Sequence, residues 1–214
     1  LNAAEIFQPL AGLSGVSAAF VPRITGIDVA TDRATALERL APGHAEYLRG
    51  RGFDTAQLAT AEQVHGDVVA VAAGASMHAG ADALITGVRG LGLGIYVADC
   101  AAVYLADRKG RAAGLVHSGR AGTTKNIVGR TIALLTAEFG IPAEELVVEI
   151  SPCIRPPLYE TDFAAEIAAQ ARAAGVADVR DRAICTGGNV DRFYSYRVER
   201  GQTGRMLAVI ALRP

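Results

Sequence analysis

The stretch that most constrains this chain runs from residue 93 to 126, LGIYVADCAAVYLADRKGRAAGLVHSGRAGTTKN. It reads as strand, Cys100, strand, tight turn, strand, His117, glycine-rich loop and helix start. Short apolar runs rich in Val, Ile, Leu and Tyr, bounded by Gly and Asp, have the pattern of buried strands. Cys100 and His117 both fall where such a run ends, and strand ends are where sheets present chemistry. The turn Asp107-Arg108-Lys109-Gly110 joins two of the runs, so the strands bearing Cys100 and His117 are expected to be antiparallel neighbours.

The remaining chain supplies elements that fit around this stretch. VSAAFV at 16–21 reads as a first strand, and TDRATALERL as a helix capped by Thr31 or Asp32, burying Leu37 and Leu40 and interrupted at Pro42-Gly43. His44, on the polar stretch after that break, reads as a solvated surface residue. LATAEQVHGDVVAVAA gives two short strands hinged at His65-Gly66-Asp67, which puts His65 at a corner. His78 reads as an exposed loop residue in ASMHAGAD, and ADALIT at 81–86 as a further strand. Beyond His117, Thr123 and Thr124 are candidate caps for a helix NIVGRTIALLTAEF closed by Gly140 and Pro142. LVVEIS at 146–151 is a buried strand running into the proline-stiffened loop PCIRPPLYE, where Cys153 reads as a packed thiol. TDFAAEIAAQARAAG is an alanine-rich helix, Cys185 ends a strand-like AIC, and MLAVIAL is the closing core strand. With no repeat or linker, a single α/β domain of mixed sheets covered by helices is expected over residues 1–214.

Composition narrows the function classes. A chain of 214 residues, 50% hydrophobic and 20% charged, buries a substantial core. Its formal charge of -1 and scattered Lys and Arg indicate neither a nucleic-acid groove nor an anionic-membrane surface, which leaves a small-molecule partner. No apolar run approaches a membrane span, and LNAAEIFQPLAGLSG lacks the basic-then-apolar shape of a signal peptide, so a cytoplasmic protein is expected. Cysteines at 100, 153 and 185 suit a reducing compartment better than a disulfide framework.

Cys100, His117 and His65 together offer one thiolate and two imidazoles, the set that holds a catalytic zinc while leaving a fourth position open. Two other readings remain open on the residues alone. One is a metal-independent hydrolase or deamidase with Cys100 as nucleophile and His117 as its base. The other is a metal-holding interaction protein without catalysis.

The phrases EQVHGDVV, ADALIT, VADC, GLVHSG, SPCIRPPLYE and FYSYRVERGQTGRMLAVIAL, in this order from roughly residue 60 to 213, resemble the purine nucleoside phosphorylase family formerly described as polyphenol oxidase laccase. That family shows Q-V-H, A-D-A, A-D-C, H-A-G-W-R-G and F-S-Y-R. The resemblance implies a layered αββα fold and a metal, usually zinc, on His65, Cys100 and His117. It also implies phosphorolysis of adenosine, inosine, guanosine and methylthioadenosine, and hydrolytic deamination of adenosine, with purine nucleosides and inorganic phosphate as the partners. Copper is the less suitable metal, because His44, His65, His78 and His117 cannot supply both the His-Cys site and the separate histidine cluster of a multicopper oxidase.

One motif departs from the family pattern. Here it is His117-Ser118-Gly119-Arg120-Ala121-Gly122, with Arg120 in place of Trp and Ala121 in place of the usual arginine. Arg120 is therefore a candidate phosphate contact, with Lys125 and Arg155 as further cations. Gln63 is a candidate purine-edge contact or an ordinary strand hydrogen bond. Arg197 is a ligand contact or a structural ion pair, and Asp99 a turn residue or a support for the metal ligands.

Overall fold

The computed structural model describes residues 7–214; residues 1–6, part of the stretch read above for a leader, lie outside the described residues. The described chain forms two mixed sheets. The first runs in the order β1 (Val16–Val21), β11 (Met206–Leu212), β6 (Gly92–Val97), β2 (Leu58–Ala61) and β4 (Met77–His78). The second runs β10 (Asp178–Asp181), β9 (Leu146–Ile150), β7 (Ala101–Asp107), β8 (Ala113–Ser118), β5 (Ala83–Thr86) and β3 (Val69–Val71). Helix α1 (Arg33–Arg49) covers the first sheet, while α3 (Ile127–Phe139) and α4 (Phe163–Ala173) cover the second. The result is the expected αββα layering.

Burial explains why β7 reads as an unbroken apolar run. Ala102, Tyr104 and Ala106 face the core between the sheets, whereas Ala101, Val103 and Leu105 face the core beneath α3 and α4. A strand covered on both faces has no solvent side to alternate with, and each large apolar side chain buried this way stabilises by about 1.5–3 kcal/mol. The β7–β8 pair is antiparallel as expected, with Ala102 opposite His117 and Ala101 opposite Ser118.

Several local expectations change in three dimensions. Asp32 caps α1 by accepting from the backbone N–H of Ala34 and Thr35, but the helix continues through Pro42 to Arg49. Ala36, Leu40, His44 and Leu48 recur every fourth residue and form one buried face, so packing along that face outweighs the N–H lost at Pro42. His44 is consequently buried, and its Nε2 meets the Arg205 carbonyl at 3.1 Å. His78 lies in a strand, paired through Ala61. A separate short helix, α2 (Arg120–Thr124), precedes α3, which is capped by Asn126, and the hydroxyls of Thr123 and Thr124 bond elsewhere. Strand β10, DVRD, has no apolar pattern to announce it. Among the described residues no helix is long and apolar enough to cross a membrane.

The hinge at His65-Gly66-Asp67 and the turn at Asp99 are both places where the chain changes sheet. Residues 62–68 carry it from β2 to β3, and Ala98-Asp99-Cys100 from β6 to β7.

Candidate metal centre

Cys100 sits at the second crossover because the backbone turns sharply at Asp99, whose φ is 80°. That left-handed conformation is uncommon for a non-glycine residue, and three donors hold the Asp99 carboxylate in place. The Thr186 hydroxyl donates at 2.7 Å, the Ser195 hydroxyl at 3.1 Å and the Arg197 backbone N–H at 2.7 Å. Asp99 thus fixes the turn before Cys100 and ties it to the segment around residue 196.

His117 lies in β8, and its Nδ1 is 2.8 Å from Asp82 Oδ1. An ionised carboxylate only accepts, so Nδ1–H donates and Nε2 is left for the opposite side. The same carboxylate accepts from the backbone N–H of Val64 (3.1 Å), His65 (3.0 Å) and Gly66 (2.7 Å). One buried acid therefore orients one imidazole and shapes the loop that carries the other. Lys125 adds a bond from Nζ to the His65 carbonyl at 3.1 Å.

These supports bring one ligand atom each from His65, Cys100 and His117 to within 4.8 Å of one another. The two imidazole rings are 4.8 Å apart at 75°. Burial would raise the Cys100 thiol, but hydrogen bonds and charge from His117 and His65 outweigh it and bring its pKa down to about 6. Burial would lower His117, yet Asp82 and Cys100 hold it up, at about 9. Burial likewise opposes ionisation of Asp82, but the bonds from His117 and the Gly66 N–H keep its pKa below the usual carboxylate value. The three side chains thus bring one sulfur and two nitrogen ligand atoms together, a donor set that fits zinc. Gly119 completes the fit, since a Cβ there would stand 2.5 Å from Cys100 Sγ.

The trio lies in the wall of a cavity of about 690 Å³. Tyr96, Tyr159, Phe163 and Tyr196 supply its aromatic surface, and Arg33, Arg120, Arg197, Arg200 and Arg205 its charge. Of the other residues picked from sequence, Gln63 lines the cavity, but its amide is bonded at both ends to Tyr96, donating to the carbonyl at 2.6 Å and accepting from the N–H at 2.9 Å. Arg120 lines the cavity from the first turn of α2. Arg197 lines it too, with its guanidinium on Glu160 at 2.9 and 3.0 Å and 5.0 Å from the Tyr159 ring centre. Arg155 is different. It is nearly buried, grips Asp181 at 3.1 and 2.6 Å, and is not part of the cavity wall, so its charge is spent on the fold.

Asp82 is the residue that sequence reasoning passed over. Its signal was present as an acid between apolar residues at the head of ADALIT. Arg33, beside the cap of the first helix, and Arg205, within the last of the quoted phrases, carried no signal of their own. Cys153 is buried, and burial pushes its thiol up to about 12, as suits a packed and unreactive residue.

Residues 14–172 and 159–213 match the family described as multi-copper polyphenol oxidoreductase laccase. A purine nucleoside phosphorylase of Deinococcus radiodurans is 32% identical over 207 residues, spanning 85% of this chain and 80% of its own. One from Streptomyces coelicolor is 30% identical over 190 residues, spanning 75% and 77%. Among solved structures, YlmD from Geobacillus stearothermophilus superposes with a TM-score of 0.82 at 24% identity, over 94% of this chain and 93% of that one. YfiH from Bacillus licheniformis gives 0.79 at 19%, over 92% and 93%.

Proposed function

The chain belongs to the multi-copper polyphenol oxidoreductase laccase family, and within it we propose that the protein is a zinc-dependent purine nucleoside phosphorylase. The substrates are adenosine, inosine, guanosine and methylthioadenosine with inorganic phosphate, and adenosine deamination is a second activity of the same pocket. The observation that carries this reading is the meeting of His65, Cys100 and His117 in the wall of an aromatic, arginine-rich cavity large enough for a nucleoside. Relatives that bear the phosphorylase name support it.

In phosphorolysis the C1′–N9 bond breaks, a C1′–oxygen bond to phosphate forms, and the purine leaves with a proton. Zinc held by His65, Cys100 and His117 supplies Lewis-acid stabilisation of charge. The protein's own groups do the rest. Tyr159, Phe163 and Tyr196 offer apolar faces for the purine, the arginines attract phosphate and offset developing charge, and Asp82 keeps His117 in one tautomer and one orientation.

The family's multi-copper description fits the residues poorly. His44 is bonded to the Arg205 carbonyl and His78 to the Ser76 hydroxyl, and one three-donor group is present among the described residues. That is a single site, whereas multicopper oxidation needs two kinds. A Cys-His hydrolase has one observation in its favour, since Cys100, His117 and Asp82 stand in the relation of nucleophile, base and orienting acid. His65 argues against it, because a second imidazole on the same sulfur serves a metal and not a nucleophile.

The test is to supply inosine and phosphate and measure hypoxanthine and ribose 1-phosphate. Release should saturate in phosphate, stop on chelation and return with zinc. Activity that survives chelation, falls to thiol alkylation and ignores phosphate would establish the hydrolase instead. A stoichiometric zinc protein that turns over none of the nucleosides would be a binding protein.

A further inference from the structure

Of the cavity's five arginines four fall into two groups, and the fifth, Arg200, is exposed and makes no ion pair among the described residues. On one side Glu160 binds Arg197 through both carboxylate oxygens, and Arg120 lies within its electrostatic reach. Arg197 also stacks on Tyr159, which meets Phe163 edge-on with ring centres 5.7 Å apart. This side is aromatic and its charge is partly neutralised.

On the other side stand Arg33 and Arg205, and among the described residues neither forms an ion pair. The acids close to them in sequence, and the Asp99 whose charge Arg205 feels, are occupied. The Asp32 carboxylate caps α1, taking the N–H of Ala34 and Thr35 and the Thr35 hydroxyl. Glu199 takes Arg23, the Ser195 N–H and the Thr203 hydroxyl. Asp99 takes Thr186, Ser195 and Arg197. Arg205 is held from behind, its Nη1 donating to the carbonyls of Thr203 and Gly204 at 2.8 Å each, while its own carbonyl meets His44. Its remaining guanidinium N–H groups have no hydrogen-bond acceptor among the described residues, and its Cζ lies 5.8 Å from the Tyr196 ring centre. Burial, and next the charge of exposed Arg33, push half-buried Arg205 below the usual arginine value, so two cations stand near one another with no ion-pair partner among the described residues. Such an arrangement is costly unless an anion completes it. Arg205 also feels the charges of Cys100 and Asp99, which places the pair beside the metal ligands.

Building on the phosphorylase reading, we propose that Arg33 and Arg205 form the phosphate subsite, and that Arg120, the cation suggested by the altered glycine loop, serves the nucleoside side. Phosphate bridges the two guanidinium groups next to the metal ligands, while the purine lies against Tyr159 and Phe163 on the opposite wall.

The experiment is calorimetric titration of inorganic phosphate into zinc-loaded wild-type protein and into Arg33→Gln, Arg205→Lys and Arg120→Ala, with phosphate and inosine KM measured alongside. Loss of a charge-assisted bond should weaken phosphate about 10- to 100-fold in the first two variants and raise the phosphate KM equally, with the inosine KM little changed. Arg120→Ala should leave phosphate affinity within about twofold. Arg33 starts α1 on the exposed side of the helix, so Arg33→Gln keeps the test available if Arg205→Lys does not fold; zinc content and melting temperature show which variants are intact. Weakening by Arg120→Ala with no effect of Arg33→Gln would move the subsite to the glycine loop and overturn the proposal. Wild-type protein that binds no phosphate at millimolar concentration overturns it as well. If phosphate binds through Arg33 but no nucleoside is cleaved, the anion subsite stands and the phosphorylase reading is what fails.

Discussion

At one end of the β7–β8 pair Asp107 gathers Arg111, and at the other Asp82 gathers His117 and the loop at 64–66. At the turn end, the Arg111 backbone N–H, Nε and Nη2 reach Asp107 at 2.9, 2.8 and 2.8 Å. Glu145 adds a bond to Arg111 and takes Lys109 at 2.6 Å, and Arg108 reaches Asp178 at 2.8 Å. Every cation of that turn has its anion. At the cavity end Asp82 is equally well bonded, yet the imidazoles it positions stand with the Cys100 sulfur within 4.8 Å of one another, and Arg33 and Arg205 nearby form no ion pair among the described residues. Both ends are charged and well ordered. What distinguishes a binding site from a structural cluster here is incomplete partnering, because donors that have used their capacity have none left for a ligand.

The largest expected effect breaks the cavity end alone. Cys100→Ser and His117→Ala should each remove stoichiometric zinc and, with it, nucleoside turnover, measured by metal analysis and product release. A full equivalent of zinc in the His65→Ala, His117→Ala double variant would sink the assignment. Next comes Asp82→Asn, in which an amide replaces a carboxylate that four donors share. Zinc affinity should fall about 10- to 100-fold by competition with a chromogenic chelator, whereas Asp107→Asn at the other end should leave it unchanged. Equal losses in the two variants would end the distinction drawn here.

His44 sharpens the comparison by having no acid at all. It is buried against the Arg205 carbonyl with Nδ1 unpartnered, and burial brings its pKa down to about 4, opposite in direction to His117. The unfolded chain protonates this histidine near 6.5 and the folded chain does not. Its contribution is therefore full above pH 6.5 and is lost as pH falls from 6.5 to about 4, a change on the order of 3 kcal/mol. Denaturant titrations across that interval should show a shallower decline in His44→Gln; an identical slope would count against the burial account. The smallest effect is expected at the turn. Asp107→Asn should cost about 1 kcal/mol, because Arg111 is partly exposed and solvent screens the pair. Burial opposes ionisation of Asp107, but Arg111 outweighs it and lowers the pKa below 3.8. That stability is present above pH 3.8 and is lost as pH falls below it, so the variant should differ from wild type at neutral pH and converge with it in acid.

Some features are set by residues close in sequence. The buried runs of β7 and β8, their antiparallel pairing through a short turn, the Asp32 cap and the packed Cys153 all depend on local periodicity, turn chemistry or apolar surroundings. The turn cluster belongs here too, since Asp107 and Arg111 are four residues apart. His65, Cys100 and His117 were legible as a donor set by type and by their places at corners and strand ends. Other features depended on which strands became neighbours. Asp82 meets His117 because β5 pairs with β8, and its bonds to residues 64–66 exist because the chain changes sheet there. His44 was misplaced because Pro42 signals a break that burial of Leu40 and Leu48 overrides. Arg155 and Arg205 are both arginines near a strand end, and only their surroundings separate one neutralised by Asp181 from one with no anion.

By itself, then, the sequence determined the apolar strands and main helices, the family and the kinds of ligand atom available, since apolar spacing and side-chain chemistry are properties of nearby residues. The tertiary structure alone decided which of those polar groups were used up and which were left facing the cavity, because hydrogen-bond capacity is consumed by whatever partner the sheet order brings within reach.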